Sequence, residues 1–407
     1  MAWFGMLSGS AVNFLNIYAT RLGASGFQIG LLGATPAIAN LLFAIPAGQV
    51  LEKQPVGKTV FLNSVIFRVG YLLWIPLPWI FNAQGQIWTL IIMALLMGIP
   101  FTIFTVGFNT LFAAAVPSEW RAFMAGVRNI IFSVTFMLSS LGCGWLLEHM
   151  PFPSGYQMVF GIGGFSALLS CLHLFFIRPL SSSPAGTPPP SLSRAHVPGA
   201  RARPHPWQTA LRTDIWRTPF AVVLLVLLGL HLAQYLAIPI FPLYTVNVMH
   251  LTDDEIGLGM ALFYFTVLLG STQLHRLVRW QGNRKVTGMG IMVMSLYPFL
   301  MGLSHHAPAY YLVSAIGGFG WSLTGGAYAN YLLENIPAHD RPAHLAWYNI
   351  VLNASILLGS LLGPLIARFI GLGIALLLFG GCRVLAGIAV LKWGRGNRIS
   401  SEEYPAG

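Results

Sequence analysis

Carboxylates are scarce in this chain. Its 407 residues include 11 Asp and Glu, and charged residues of both signs make up 8%. Soluble domains average about 25% charged residues, so a water-soluble fold is excluded. The acids are also poorly placed for buried chemistry. Every one, from Glu52 to Glu403, falls in a loop, a tail or the end of an apolar segment. A proton relay or cation trap built on a carboxylate at mid-membrane depth is therefore excluded. Cysteine is sparse too: Cys143, Cys171 and Cys382 all lie within apolar segments. That rules out a disulfide framework and reads as packing. There is no GxxxxGK[ST] phosphate loop and no zinc-ligand spacing, so no ATP motor, metal site or cofactor is expected.

Apolar residues, by contrast, make up 56% of the chain. About 20 of them cross the hydrocarbon as a helix. Twelve stretches qualify: 1–21, 27–50, 59–81, 86–115, 124–148, 155–177, 218–246, 254–274, 286–304, 307–333, 344–369 and 371–393. They are numbered here as spans 1 to 12. The alternation of barrel strands is absent, so the fold expected is all-α. Charge placement sets the orientation. Of 22 Lys and Arg, only Arg21 and Arg368 fall on the side opposite the termini, and Arg68 and Arg383 fall inside spans. The remainder crowd the termini side, which predicts cytoplasmic termini on a multi-pass protein of the plasma membrane, or of the inner membrane in a bacterium. The net charge of +11 is thus topology, and no nucleic-acid partner is expected. The first stretch is long enough to span and has no basic leader, so no cleavable signal peptide is expected. Trp3, Trp74, Trp79, Trp88, Tyr310 and Tyr311 lie near span ends and read as interface anchors.

The second half repeats the first. At a shift of 220 positions, Pro117, Arg121, Asn129, Ile130, Leu138, Ser140 and Leu141 meet Pro337, Arg341, Asn349, Ile350, Leu358, Ser360 and Leu361. Ser25 with Gln28, and Thr252 with Glu255, form matching capping boxes ahead of spans 2 and 8. Such duplication marks membrane proteins in which one half rocks against the other about a midplane site. The division expected is a six-helix bundle over 1–179, a disordered basic linker over 180–217, a second bundle over 218–394 and a cytoplasmic tail over 395–407.

Twelve spans split six and six, with repeated halves and a long central loop, resemble the major facilitator superfamily. The local marker is Gly48-Gln-Val-Leu-Glu52-Lys53-Gln-Pro-Val-Gly57-Lys58 between spans 2 and 3. There the family has Gly, three residues, an acid, a base, then Gly and further bases; here the second Gly is displaced by two positions. The resemblance implies two bundles related by a pseudo-two-fold axis and alternating access. It also implies that the acid, here Glu52, beside Lys53, caps the start of span 11 near Arg341 and Asn349 and latches the outward-facing state. Two departures count against a conventional proton-driven drug exporter. Ala94 stands where proton-coupled members often carry Arg, and a Gly-Pro run falls in span 11 at Gly363-Pro364 rather than in span 5.

In the family, spans 1 and 4 line the cavity and span 7 faces it. The sequence leaves open which of the polar face of span 10 and the Phe face of span 4 meets it. This directs attention to the polar residues of all four. Candidates for substrate contact are Asn13 and Asn16 in span 1; Thr102, Thr105 and Asn109 in span 4; His231, Gln234 and Tyr235 in span 7; and Trp321, Thr324 and Tyr328 in span 10. The plain alternative for each is a helix-to-helix hydrogen bond. Arg128 in span 5, replaced by Tyr348 in the repeat, is a candidate gate or substrate contact, grouped with Glu52, Lys53, Arg341 and Asn349 as gating residues. A cavity rich in aromatics and amides, mildly basic and without buried acids, suits a small neutral or anionic amphiphile, with a slight lean to efflux. An uncoupled facilitator or exchanger is the second reading. An intramembrane lipid-handling enzyme is the third, weakened by the missing buried Asp. The expected partners are the solute, membrane lipids and, left open, a coupling ion. A monomer with no enzymatic activity is expected.

Overall fold

A computed structural model describes residues 1–177, 212–337 and 340–394. Backbone polar groups in hydrocarbon must be satisfied within their own segment, and the chain meets this with helices throughout. Span 1 is Ala2–Leu7, a π turn at Ser8–Val12 and Asn13–Arg21. Spans 2 to 6 follow as Gly26–Lys53, Val56–Leu72 with the short Leu77–Ile80, Ala83–Ala115, Arg121–His149 and Ser154–Phe175. Span 7 is Phe220–Ala237 and Ile240–Asn247. Spans 8 to 12 are Asp253–Gln281, Asn283–Leu303, Ala307–Glu334, Arg341–Ile370 and Leu372–Trp393.

Among the described residues, nine helices are long and apolar enough to cross a membrane by length and composition. The other three expected spans fall short for visible reasons. Span 1 is interrupted by its π turn, and the main helix of span 3 has 17 residues. Span 10 is diluted by Gly317, Gly318, Gly320, Gly325 and Gly326, which let its neighbours approach. A Cβ on Gly318 would lie 2.0 Å from the Phe263 carbonyl oxygen of span 8.

The duplication is visible in the packing. In the first bundle span 2 packs on 4, 3 on 4, 3 on 6, and 1 on both 5 and 6. Adding six to each number describes the second bundle: 8 on 10, 9 on 10, 9 on 12, and 7 on both 11 and 12. The bundles meet along span 2 against 11, span 5 against 8, and span 1 against 7, the arrangement a two-fold axis between them requires. Both capping boxes form as the sequence predicts: the Ser25 amide donates to Gln28 Oε1 at 2.9 Å and the Thr252 amide to Glu255 Oε2 at 2.9 Å. Each thereby starts a helix that faces the other bundle.

Two local expectations change. The linker, expected to be unstructured to residue 217, ends earlier. Thr213–Arg217 is a 3₁₀ turn with Ile215 fully buried against span 7. Arg212 clasps Asp214 and Asp340, each at 3.0 Å, and accepts through its carbonyl a hydrogen bond from Trp347. The Arg212 guanidinium, by donating to it, holds the Asp214 carboxyl below its ordinary range. Residues 178–211 and 395–407 lie outside the described residues. Trp74 and Tyr310 are not interface anchors, each being 2% exposed in the core of its bundle, whereas Trp79 is 75% exposed and fits that role. Arg383 is a structural donor: buried in span 12, it donates to the carbonyls of Ala233 and Gln234 just before the break in span 7. There it sits at the negative end of a half-helix.

Candidate functional site

Among the described residues, the closest contacts between the bundles lie at one face of the molecule. At the face opposite the termini, the crossings are tight because small residues meet backbone. A Cβ on Gly30 would lie 2.1 Å from the Ser360 carbonyl oxygen, and one on Gly257 2.7 Å from that of Ser140. At the termini face, a Cβ on Gly48 or Gly126 would meet nothing within 4 Å. There, Ile45 of span 2, Phe123 and Ile130 of span 5, and Leu333 of span 10 are exposed. Among the described residues the close glycine crossings between the bundles therefore lie at the face opposite the termini, which they seal.

The seal carries a charged clasp that the sequence reading missed. Arg21, ending span 1, reaches Asp253 Oδ1 at 2.9 Å and the Leu251 carbonyl at 2.7 Å. The Tyr156 hydroxyl of span 6 donates to Asp253 Oδ2 at 2.7 Å. Asp253 is 13% exposed and Arg21 27%, so the pair is partly desolvated. The signal was present: Arg21 is one of two basic residues expected on that side, and Asp253 stands in the first turn of the facing helix. Its acid suits the helix start while also serving as the counterion across the bundles.

Within the first bundle a cavity of about 300 Å³ lies between spans 1, 2, 3 and 4. Phe4, Phe67, Tyr71, Trp74 and Phe101 line it, with Asn16 and Gly98. The π turn of span 1 widens the helix locally, and its Ser8 and Val12 share this wall with Asn16. Span 4 therefore turns its Phe101 face to the cavity. Thr102, by contrast, is 1% exposed and donates to Asn40 of span 2 and to the Gly98 carbonyl. Thr105 is half-buried and bonded to the Phe101 and Thr102 carbonyls, and Asn109 is exposed. Asn13 donates to Ser140 of span 5 at 3.3 Å. So of the five candidates in spans 1 and 4, Asn16 alone lines this cavity.

In the second bundle three helices bring polar groups together. Tyr348 of span 11 lies 3.3 Å from His231 Nε2 of span 7 and donates to Tyr328 of span 10 at 3.3 Å. His231 is 7% exposed and Gln234 8%. Tyr235 packs where span 7 crosses Gly359 of span 11. Thr324 is buried and bonded to the Gly320 carbonyl; Trp321 is half-buried beside Gly325. Tyr348 is the member that sequence reasoning passed over, having served there only as the counterpart of Arg128. Arg128 itself lies over the rings of Phe108 and Phe112, 5.2 and 4.6 Å from their centroids. Arg68 is 3% exposed, bonded to Ser64 and packed over Phe67 and Phe104. Neither takes part in an ion pair among the described residues.

The latch expected at Glu52 turns on a side chain outside the described residues. Lys53, Arg341 and Asn349 are exposed at the termini face. No group of three or more His, Cys, Asp or Glu that could hold a metal occurs among the described residues.

Known proteins resemble this chain in part of its sequence and in its fold. A stretch of 153 residues is 26% identical to Multidrug resistance protein 2 of Bacillus subtilis, and 146 residues are 22% identical to Quinolone resistance protein NorA of Staphylococcus aureus. Those matches cover 38% and 36% of this chain and the same shares of the relatives. Among solved structures, the inward-open xylose transporter XylE from E. coli superposes with a TM-score of 0.71 at 14% identity, covering 98% of this chain and 96% of that one. The nucleoside transporter NupG superposes at 0.67 with 13% identity, covering 96% of each. The sequence profile of the Major Facilitator Superfamily matches residues 1–252 and again 223–404. With the paired bundles and their repeated packing, that match across the whole length makes this chain a member of the Major Facilitator Superfamily of transporters.

Proposed function

We propose that this transporter moves a small neutral or anionic amphiphilic solute by alternating access, with export as the favoured direction. The observation that supports it best is the seal between the bundles at one face, formed by Arg21, Asp253 and Tyr156, while Gly48 and Gly126 at the other face stand clear of any neighbour. A ligand moves such an equilibrium only by binding one state better than the other, and a pocket reachable from one side is the form that requirement takes. With the basic loops placed in the cytoplasm, the face that stands clear is the inward one. Arg68, His231 and Arg383, buried within the spans, lack carboxylate partners among the described residues, which favours neutral and anionic solutes over cations. Likeness to two drug-resistance proteins supports export of amphiphiles.

The test is flux of neutral, anionic and cationic fluorescent amphiphiles in reconstituted vesicles. Carriage of cations alone would overturn the solute class. The same vesicles with and without a pH gradient address a second reading, an uncoupled facilitator, which the absence of carboxylates from the span centres favours. Flux indifferent to the gradient supports it. His231→Ala, which breaks the contact to Tyr348, should lower flux several-fold more than His306→Ala in the exposed loop ahead of span 10. Equal flux in the two variants would remove His231 from the pathway.

A further inference from the structure

We propose that the groove between spans 7 and 12 binds an acyl chain of an anionic phospholipid from the termini-side leaflet, with Arg217 and Lys392 at its mouth drawing the headgroup. The groove holds about 570 Å³. It runs from Val222 to Leu236 along span 7 and from Trp393 back to Cys382 along span 12, and no charged side chain lines it. At 1.5 Å per residue the span 7 wall is about 21 Å long. One leaflet's hydrocarbon, half of a core about 30 Å thick, is shorter than that. Small residues usually let two helices close on each other. Here Gly229 and Ala233 of span 7 and Ala386 of span 12 line the groove instead, and a Cβ on Gly229 would meet nothing within 4 Å.

The groove faces the bilayer. Leu225 and Leu385 in its walls are 54% and 67% exposed. Gly229 and His231 stand two residues apart, about 200° around the helix. His231 meets Tyr348 of span 11 at 3.3 Å, so the groove lies on the back of the helix that carries the polar cluster. Lipid tails are as apolar as Leu, so a chain that enters gains packing contacts rather than escape from water. Selectivity therefore falls to the headgroup. Arg217 lies just before span 7 begins at Phe220, and Lys392 stands next to Trp393, which ends span 12. Both are exposed, and neither forms an ion pair among the described residues. Arg212, by contrast, is committed to Asp214 and Asp340. Attraction between charges reaches about 8–10 Å in salt. Two unpaired cations at one end of the groove thus favour a lipid of net negative charge over a zwitterion.

The purified full-length protein is equilibrated in micelles with equal amounts of dioleoyl phosphatidylglycerol and dioleoyl phosphatidylcholine. Native mass spectrometry then identifies the lipid that stays bound on delipidation. Wild type should retain phosphatidylglycerol about 25-fold over phosphatidylcholine, about fivefold for each basic residue. Arg217→Gln combined with Lys392→Gln, both at exposed positions, should erase that preference. Gly229→Leu should displace the lipid by filling the groove. If that variant does not fold, crosslinking of the wild type decides: phosphatidylglycerol with a diazirine in its acyl chain should label spans 7 and 12. The site is overturned if the wild type retains both lipids equally, if either variant behaves as wild type, or if the label falls on other spans alone. It is overturned too if added oleate is retained in preference to phosphatidylglycerol, or if two copies of this chain crosslink across the groove. These readouts need no flux, so their failure leaves the transport reading standing.

Discussion

Asp253 shows how one side chain serves two levels of structure. In its own helix it is an acid in the first turn, beside the capping box of Thr252 and Glu255. Across the bundles it binds Arg21 and Tyr156 at 2.9 and 2.7 Å. Charge-assisted hydrogen bonds that are partly desolvated contribute about 1.5–3 kcal/mol each. Asp253→Asn should therefore weaken the seal and raise the ratio of outward-open to inward-open molecules by about tenfold or more. Alkylation of a cysteine placed at Ser360, added from the far side, reads that ratio. Tyr156→Phe removes one of the bonds and should have a smaller effect of the same sign. An unchanged alkylation rate in Asp253→Asn would show that helix packing alone holds the seal. Trp74 makes the opposite point. Its place near a span end suggested an interface anchor, yet packing against Tyr71 and Phe160 draws it inward, because span 3 breaks after Leu72 and turns the chain back into the bundle.

At the scale of helices, glycine decides how closely the bundles close. Gly257 lets span 8 approach the Ser140 carbonyl and Gly144 of span 5, where a Cβ would come within 2.7 and 3.1 Å. Both neighbours are backbone and cannot swing aside. Gly257→Val should force these helices apart, shift the equilibrium toward the outward-open state and lower the melting temperature. Gly48→Ala, in the open half of span 2, meets nothing within 4 Å and should leave stability within about 0.5 kcal/mol of wild type. A thermal-shift comparison of the two checks both claims. The turn at Thr213–Arg217 adds a pH dependence. Because Arg212 lowers the Asp214 carboxyl from its ordinary value, the clasp contributes stability above that value. The contribution is lost as pH falls through the lowered one. Fluorescence of Trp216 and Trp347, whose rings pack 5.4 Å apart beside the clasp, should change on acidification in the wild type and far less in Arg212→Ala.

At the scale of the whole molecule, the repeat makes the two closures equivalent in design. Span 2 on 11 and span 5 on 8 are exchanged by the two-fold axis, so a rocking motion that opens one face can close the other. Gly33 of span 2 faces Ser360 of span 11, where a Cβ on the glycine would lie 3.8 Å from the serine Oγ. Cysteines at both positions should form a disulfide on oxidation that abolishes flux, and reductant should restore it. Full flux in the crosslinked protein would contradict the rocking motion.

The legible part of this protein was set by local chemistry. Hydrocarbon demands helices, apolar run length marks the spans, basic residues bias the loops, and Ser25 with Gln28 or Thr252 with Glu255 starts a helix wherever it lies. Duplication could be read for the same reason, since identities such as Asn129 with Asn349 survive in the chain itself. What remained hidden depends on groups distant in sequence. Arg21 meets Asp253 across 232 positions, and Thr102 turns from the cavity because Asn40 of span 2 accepts its proton. Sequence periodicity assigns a face to each helix but not the neighbour it meets. In a membrane that choice is made by close packing and by which buried polar groups find partners. For that reason the helices could be predicted from the chain, while the seal, the aromatic cavity and the His231–Tyr348–Tyr328 cluster were decided by the tertiary structure.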